Sequence, residues 1–221
     1  MEKNTVIRAE YMAQLKDAPE VSGARFAAAR ENALKLIRDG RLMTAALYIY
    51  GRQLFLYAES LGETVGAEEI CAPMSGSLSP FPQGDGSVEW APMVPVFWHC
   101  EPESAAQWRL GRPRERRRGR IALLKPEKLT EYVYHHFALT REGVFKGDKY
   151  MFISLYGNLL FSYFEEPRSS ESTLGIDKES RAIVEWTATD PDSHFIHLPG
   201  SNGQNFLLLP AVFDVGESDA N

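Results

Sequence analysis

The stretch GDKYMFISLYGNLLFSYFEEP, Gly147 to Pro167, decides the fold. It reads as two strands joined at Tyr156-Gly157-Asn158, with the glycine supplying the positive φ of a tight turn. Successive strand side chains point to opposite faces. Met151, Ile153 and Leu155 therefore point one way, and Tyr150, Phe152 and Tyr156 the other. Both faces are apolar, so each must be covered.

The same hairpin occurs earlier in the chain. Ala46 to Ser60, ALYIYGRQLFLYAES, aligns with Phe152 to Glu166, FISLYGNLLFSYFEE. The identical pairs are Tyr50/Tyr156, Gly51/Gly157, Leu54/Leu160, Phe55/Phe161, Tyr57/Tyr163 and Glu59/Glu165, each displaced by 106 positions. Val88-Glu89-Trp90 recurs as Val184-Glu185-Trp186, and Phe97-Trp98-His99 more loosely as Phe195-Ile196-His197. Three blocks in one order predict a tandem duplication, residues 1–112 and 113–221, joined near 109–120.

Each copy opens with a strand, Thr5 to Met12 or Arg120 to Leu124. A helix follows. RFAAARENALKLIRDG is rich in helix formers and Gly40 stands at its C-terminal cap. In the second copy Pro126 suits the first helical turn, and Leu129, Tyr132, Val133, His136 and Phe137 form one helical stripe. The hairpin comes next, then a loop, a second helix containing Val-Glu-Trp, and a closing strand, NFLLLPAVFDV in the second copy. The predicted class is α+β: two tandem ferredoxin-like β-α-β-β-α-β repeats packed sheet to sheet as an intrachain α+β barrel. That packing covers both faces of the hairpin.

Composition fits such a chain. It has 221 residues, 44% of them hydrophobic, enough for one large or two small cores. The net charge of −6 argues against a general nucleic-acid binder. Cys71 and Cys100 form no CxxC or metal-ligand spacing, as expected of a reduced intracellular protein. The start, MEKNTVIRAEYM, lacks an apolar run of signal-peptide length, and no stretch has the length of a membrane helix, so a cytoplasmic location is expected. The Pro-, Gly- and Ser-rich segment from Cys71 to Pro95 reads as a mobile insertion, with a lid as the alternative, and Pro167 to Ser180 as its counterpart. The basic run Arg109 to Arg120 reads as a solvated connector, with phosphate or partner binding as the alternative. The oligomeric state is left open: a duplicated chain can satisfy its own sheet packing as a monomer with an internal pseudo-dimer, and exposed strand edges can pair chains into a homodimer.

Tyr132 and His136 lie four apart on one helix face. A histidine exchanges protons near neutral pH, and a tyrosine beside it can hold a substrate hydroxyl. A hydrogen-bonded core histidine is the competing reading. Asp190 reads equally as a site carboxylate or a turn cap. His194 and His197 flank Phe195 without a third metal ligand nearby.

The second copy resembles the L-rhamnose mutarotase family. The likeness rests on strand Arg120–Leu124, Tyr132-x-x-x-His136, YMFISLYGNLLFSYFEE, Thr189-Asp190-Pro191 and the terminal AVFDV. It implies a sugar-anomer isomerase using His136 as proton donor, with Tyr132 and Tyr150 contacting sugar and Phe195 as an apolar sugar contact; Asp190 or His194 is the candidate general base. No metal or other cofactor is implied. The family's Trp-Pro after the histidine is FALTREG here, and its paired tryptophans are Phe195-Ile196. The first copy has Phe26 opposite Tyr132 and Arg30 opposite His136. Two rival readings remain: a non-catalytic sugar- or metabolite-binding barrel, and a barrel of this class doing other chemistry, such as oxidation of an aromatic compound.

Overall fold

The computed structural model describes residues 5–109, 116–175 and 178–220, apart from the side chains of Val21 and Glu171. In chain order its main elements are β1 (Val6–Leu15), α1 (Gly23–Arg38), β2 (Leu42–Tyr50), β3 (Gln53–Leu61), β4 (Val94–Trp98), β5 (Arg116–Leu124), α2 (Leu129–Glu142), β6 (Phe152–Tyr156), β7 (Leu159–Glu166), α3 (Arg181–Thr187) and β8 (Ala211–Gly216). The chain is α+β and divides into two units. One holds Met1–Met93, Pro102–Pro113 and Pro210–Asn221; the other holds Val94–Glu101 and Arg114–Leu209.

In the first unit the antiparallel sheet runs β8-β2-β3-β1, and the short strands Leu78–Ser79 and Ala91–Pro92 pair with β1. Tyr50 pairs with Gln53 around Gly51-Arg52, with Gly51 at φ +56°. Helix α1 buries Ala29, Ala33, Leu36 and Ile37 in a core shared with Leu47, Leu54, Leu56 and Val215. It ends in a Schellman motif: Arg41 N–H donates to the Leu36 carbonyl and Gly40 N–H to that of Ile37, with Gly40 at φ +67°.

The second unit repeats this order as β4-β6-β7-β5, with the short strands Phe195–Ile196 and Leu207–Leu208 beside β5. Tyr156 pairs with Leu159 around Gly157-Asn158, and Gly157 sits at φ +60°. Ile153 and Leu160 pack in a cluster with Tyr132 and Leu139 of α2, while Phe152, Phe161 and Tyr163 are buried as well. The hairpin is thus buried on both faces, as its sequence requires.

Several expectations need correction. The terminal strand β8 does not close the second copy; it pairs with β2, and β4 of the first copy pairs with β6. Each sheet takes its edge strand from the other half of the sequence. Val184-Glu185-Trp186 is helical in α3, but Val88 is in a short strand, Gly86–Val88. Pro80, Pro82, Gly84 and Gly86 deny the first copy a helix there. Cys71–Pro95 is not a free insertion along its whole length: Met74, Leu78 and Trp90 anchor its ends in the first unit's core, and a largely exposed hairpin, Phe81–Gln83 with Gly86–Val88, lies between them. Residues 110–115 of the basic run lie outside the described residues. The flanking part is not a solvated connector: Arg116–Arg120 belong to β5, Arg117 is buried, and Arg109 is ion-paired to the buried Glu59 at 2.6 Å. On α2 the buried residues are Tyr132, His135, His136 and Leu139, so Phe137 is turned out, 39% exposed.

Candidate active site

The site belongs to the second unit and is built around α2. One helical turn separates Tyr132 from His136, and their rings stack with centroids 3.7 Å apart and planes 20° from parallel. His136 Nδ1 lies 2.8 Å from the Tyr132 carbonyl oxygen. A carbonyl only accepts, so Nδ1 carries the hydrogen and the neutral ring keeps its lone pair on Nε2. Burial lowers the imidazole pKa to about 4; the Tyr132 carbonyl opposes this, while His135 and His194 add to it. His136 is therefore a neutral imidazole at pH 7. Burial pushes the Tyr132 phenol upward, against the pull of the Arg120 charge, so it stays protonated.

These two side chains face a cavity of about 260 Å³. Phe97 from β4, Trp186 from α3, and Phe145, Phe195 and Phe206 give it aromatic walls; Leu139, Met151, Ile153, Ile183 and Pro191 complete the apolar lining. Arg120 and Asn205 join Tyr132 and His136 as its polar groups. Trp186 is the hub of the wall, with ring centroids 4.9 Å from His136, 4.9 Å from His194 and 5.6 Å from both His135 and Tyr132. Phe97 meets His136 edge-on at 5.7 Å.

Arg120 reaches the cavity because strand alternation puts it on the same face of β5 as Ala122 and Leu124, which line the core under α2. Its Nε donates to Ser162 Oγ at 3.3 Å, and its guanidinium lies 4.1 Å from the Phe206 centroid and 5.1 Å from that of Phe164. Among the described residues no carboxylate pairs with it. Burial, with help from the Arg168 charge, lowers its pKa to about 10, so it remains a cation at pH 7. The buried Asp148 attracts this charge without forming an ion pair with it, and a buried cation so weakly compensated marks a candidate functional site.

Of the sequence candidates, Tyr132, His136 and Phe195 share this cavity. Tyr150 is fully buried but does not line it; its backbone N–H donates to Asp148 Oδ1 at 3.1 Å. Asp190 is a turn residue at φ +55°, whose carbonyl accepts from Ser193 N–H at 2.9 Å and from His194 Nδ1 at 3.2 Å. His194 is wholly buried behind Trp186, with Nε2 3.1 Å from Glu131 Oε2. His197 lies 3.3 Å from Asn205 Oδ1. No His, Cys, Asp or Glu cluster suited to a metal occurs among the described residues. Sequence reasoning missed Arg120, Trp186, Phe97 and Asn205. For Arg120 the signal was available: a charge at a strand position whose alternation partners, Ala122 and Leu124, are apolar.

Among the described residues no helix is long and apolar enough to cross a membrane. No family model matches the chain, and no curated protein does. Among solved structures it is similar to a putative monooxygenase from Lactobacillus acidophilus, with TM-score 0.45 and 7% identity over 95% of this chain and 96% of the other. It is also similar to a putative monooxygenase from Fusobacterium nucleatum, with TM-score 0.40 and 9% identity over 96% and 95%. A third likeness is to an anthrone oxidase-like protein, with TM-score 0.36 and 8% identity over 100% and 96%. At those scores the likeness carries no argument about what this chain does. The resemblance to L-rhamnose mutarotases is corrected: no family model or curated relative supports it, and none of the similar solved structures is described as a mutarotase. They give no support to the sugar- or metabolite-binding alternative either. The wall of the cavity agrees with this correction. A pyranose carries hydroxyls around its whole rim, and a mostly apolar lining would leave many of them without partners.

Proposed function

We propose that the second unit carries out acid–base chemistry on a flat, largely apolar molecule bearing one enolisable or phenolic oxygen. The observation that supports this reading is the pairing, in one aromatic cavity, of a neutral imidazole with its Nε2 lone pair available and a guanidinium without a carboxylate partner. His136 Nε2 takes a proton from carbon next to a carbonyl, or from a phenol. The negative charge that develops on the substrate oxygen is stabilised by the Arg120 guanidinium and the Tyr132 hydroxyl. Burial makes His136 a weak base in the empty cavity. The ion pair formed with the enolate offsets that weakness, because the same low dielectric that disfavours a lone imidazolium strengthens its attraction to an adjacent anion. At about 260 Å³ the cavity is just below the usual range for ligand sites, about 300–1,000 Å³, which limits the substrate to a small fused-ring molecule.

The tandem ferredoxin-like reading belongs to this proposal. Identical strand orders in the two units and the constant displacement of the hairpins support it. The second repeat keeps the working residues, and the first has Phe26 and Arg30 at the matching positions.

Hydrogen–deuterium exchange at the benzylic carbon of 2-tetralone in D₂O, followed by proton NMR, tests the reading. Wild-type protein should accelerate exchange, and His136→Ala should reduce the acceleration by about 10²–10⁴-fold, as expected for loss of a general base. Wild-type protein without acceleration, or His136→Ala exchanging as fast as wild type, would falsify it. An oxygen electrode run in parallel tells proton transfer alone from oxidation of the enolate by dioxygen.

A further inference from the structure

A second cavity, of about 410 Å³, adjoins the first and shares Arg120, Asn205 and Phe206 with it. Its character is different. Arg168 enters its wall, and Arg168 and Arg120 lie over the one Phe164 ring, at 4.2 Å and 5.1 Å from its centroid. Two guanidiniums are thus gathered at one aromatic side chain. Glu166 is the one carboxylate in the described lining, and its charge is already answered, since it accepts from Arg118 Nε at 2.9 Å. Neither Arg120 nor Arg168 has a carboxylate partner among the described residues. A monoanion placed between them would relieve their mutual repulsion and accept hydrogen bonds from both. The planar fork of a guanidinium matches a carboxylate in bidentate geometry. The two oxygens of one carboxylate are enough to meet one guanidinium fork each, so a single flat monoanion can serve both arginines.

We propose that this second cavity is a carboxylate subsite, so that the substrate is an aromatic acid whose rings fill the first cavity and whose carboxylate extends past Phe206 to Arg120 and Arg168. The placement of the rings rests on the acid–base reading of the first cavity. Recognition of the carboxylate rests on the two arginines alone. Arg168 is then a specificity residue at the exposed end of the site, and Arg120 serves both cavities.

Isothermal titration calorimetry with 2-naphthylacetate and its methyl ester provides the test. The acid should bind wild-type protein about tenfold or more tightly than the ester, from charge-assisted hydrogen bonds that the ester lacks. Arg168→Gln should bring the two affinities within about threefold, and Arg168→Lys should leave an intermediate preference. Arg181→Gln, at an exposed arginine that lines neither cavity, should keep the wild-type ratio. Equal binding of acid and ester by wild type, or an undiminished preference in Arg168→Gln, overturns the subsite. Tighter binding of the matching phosphonate dianion than of the carboxylate overturns the assignment to a monoanion. The two proposals fail separately. Arg168-dependent binding of the acid with no tetralone exchange leaves the subsite standing and removes the base. Exchange without acid preference does the reverse.

Discussion

Helices α1 and α2 occupy the same place in the connection order of their units, yet one completes a core and the other borders a cavity. Under the displacement that aligns the hairpins, Ala29 and Ala33 of α1 correspond to His135 and Leu139 of α2, and Phe26 and Arg30 to Tyr132 and His136. Small side chains let the cover of the first unit approach closely. The Asn32 amide donates to the Glu69 and Ile70 carbonyls at 2.7 and 3.0 Å, fixing the short helix Ala67–Ile70 beside α1. Met74, Leu78 and Trp90 join the core behind it. Arg30 turns outward to Glu31 at 2.7 Å. On α2 the same positions carry rings, and the space beside them is the site. The comparison teaches that two sheets of one strand order can carry helices that differ at a few positions, one face packed into a core and the other bordering a cavity.

A second feature is common to both units. Tyr57 O–H donates to Glu59 at 2.8 Å, and Tyr163 O–H to Glu165 at 2.5 Å. In the first unit Glu59 also accepts from Trp108 Nε1 at 2.9 Å and Arg109 Nη2 at 2.6 Å. Burial by itself would raise this carboxyl, but the Arg109 charge and the three donors prevail and hold it at about 2.

The largest expected effect comes from breaking that cluster. Arg109→Ala leaves Glu59 buried without its cation and should cost about 3–5 kcal/mol in urea denaturation. A loss below about 1 kcal/mol would mean that the cluster does not hold the first unit together. Next comes the acid response of the second unit. His136 is harder to protonate folded than unfolded, so the unfolded chain takes up the proton first as pH falls. Stability is therefore lost as pH drops from about 6.5 through about 4. That loss should reach about 3 kcal/mol by pH 4, and His136→Phe should remove it. Urea midpoints of both proteins at pH 7 and pH 4 check this; parallel declines in the two would place the acid sensitivity elsewhere. The smallest effect tests the helices directly. Ala33→Leu should overpack the first unit and cost about 1–3 kcal/mol. Leu139→Ala should cost about 2 kcal/mol, the low end for such a deletion, because its side chain already borders open space. Tolerance of leucine at position 33 would show that the first unit is less tightly packed than its buried alanines indicate.

Much of the framework was legible because it is local. The turn glycines needed positive φ, and the hairpins had to alternate. The strand exchange was not legible: Val94–Trp98 and Ala211–Gly216 have the same strand character whichever sheet accepts them, and pairing partners are chosen by the whole chain. The same limit applied to the site. The spacing of Tyr132 and His136 put both on one helix face, and both line the cavity. Tyr150, chosen by resemblance, and Asp190, read as site carboxylate or turn cap, do not line it. Arg120 was hidden in a basic run that composition alone reads as surface.

By itself, the sequence determined that two similar hairpins, each preceded by a helix, build antiparallel sheets, because φ preference and side-chain alternation act within a few residues. Only the tertiary structure decided which edge strand closes which sheet, and that a strand arginine, a helix imidazole and aromatic rings from distant segments surround one cavity. Those outcomes depend on burial and charge among residues far apart in the chain, which no local pattern encodes.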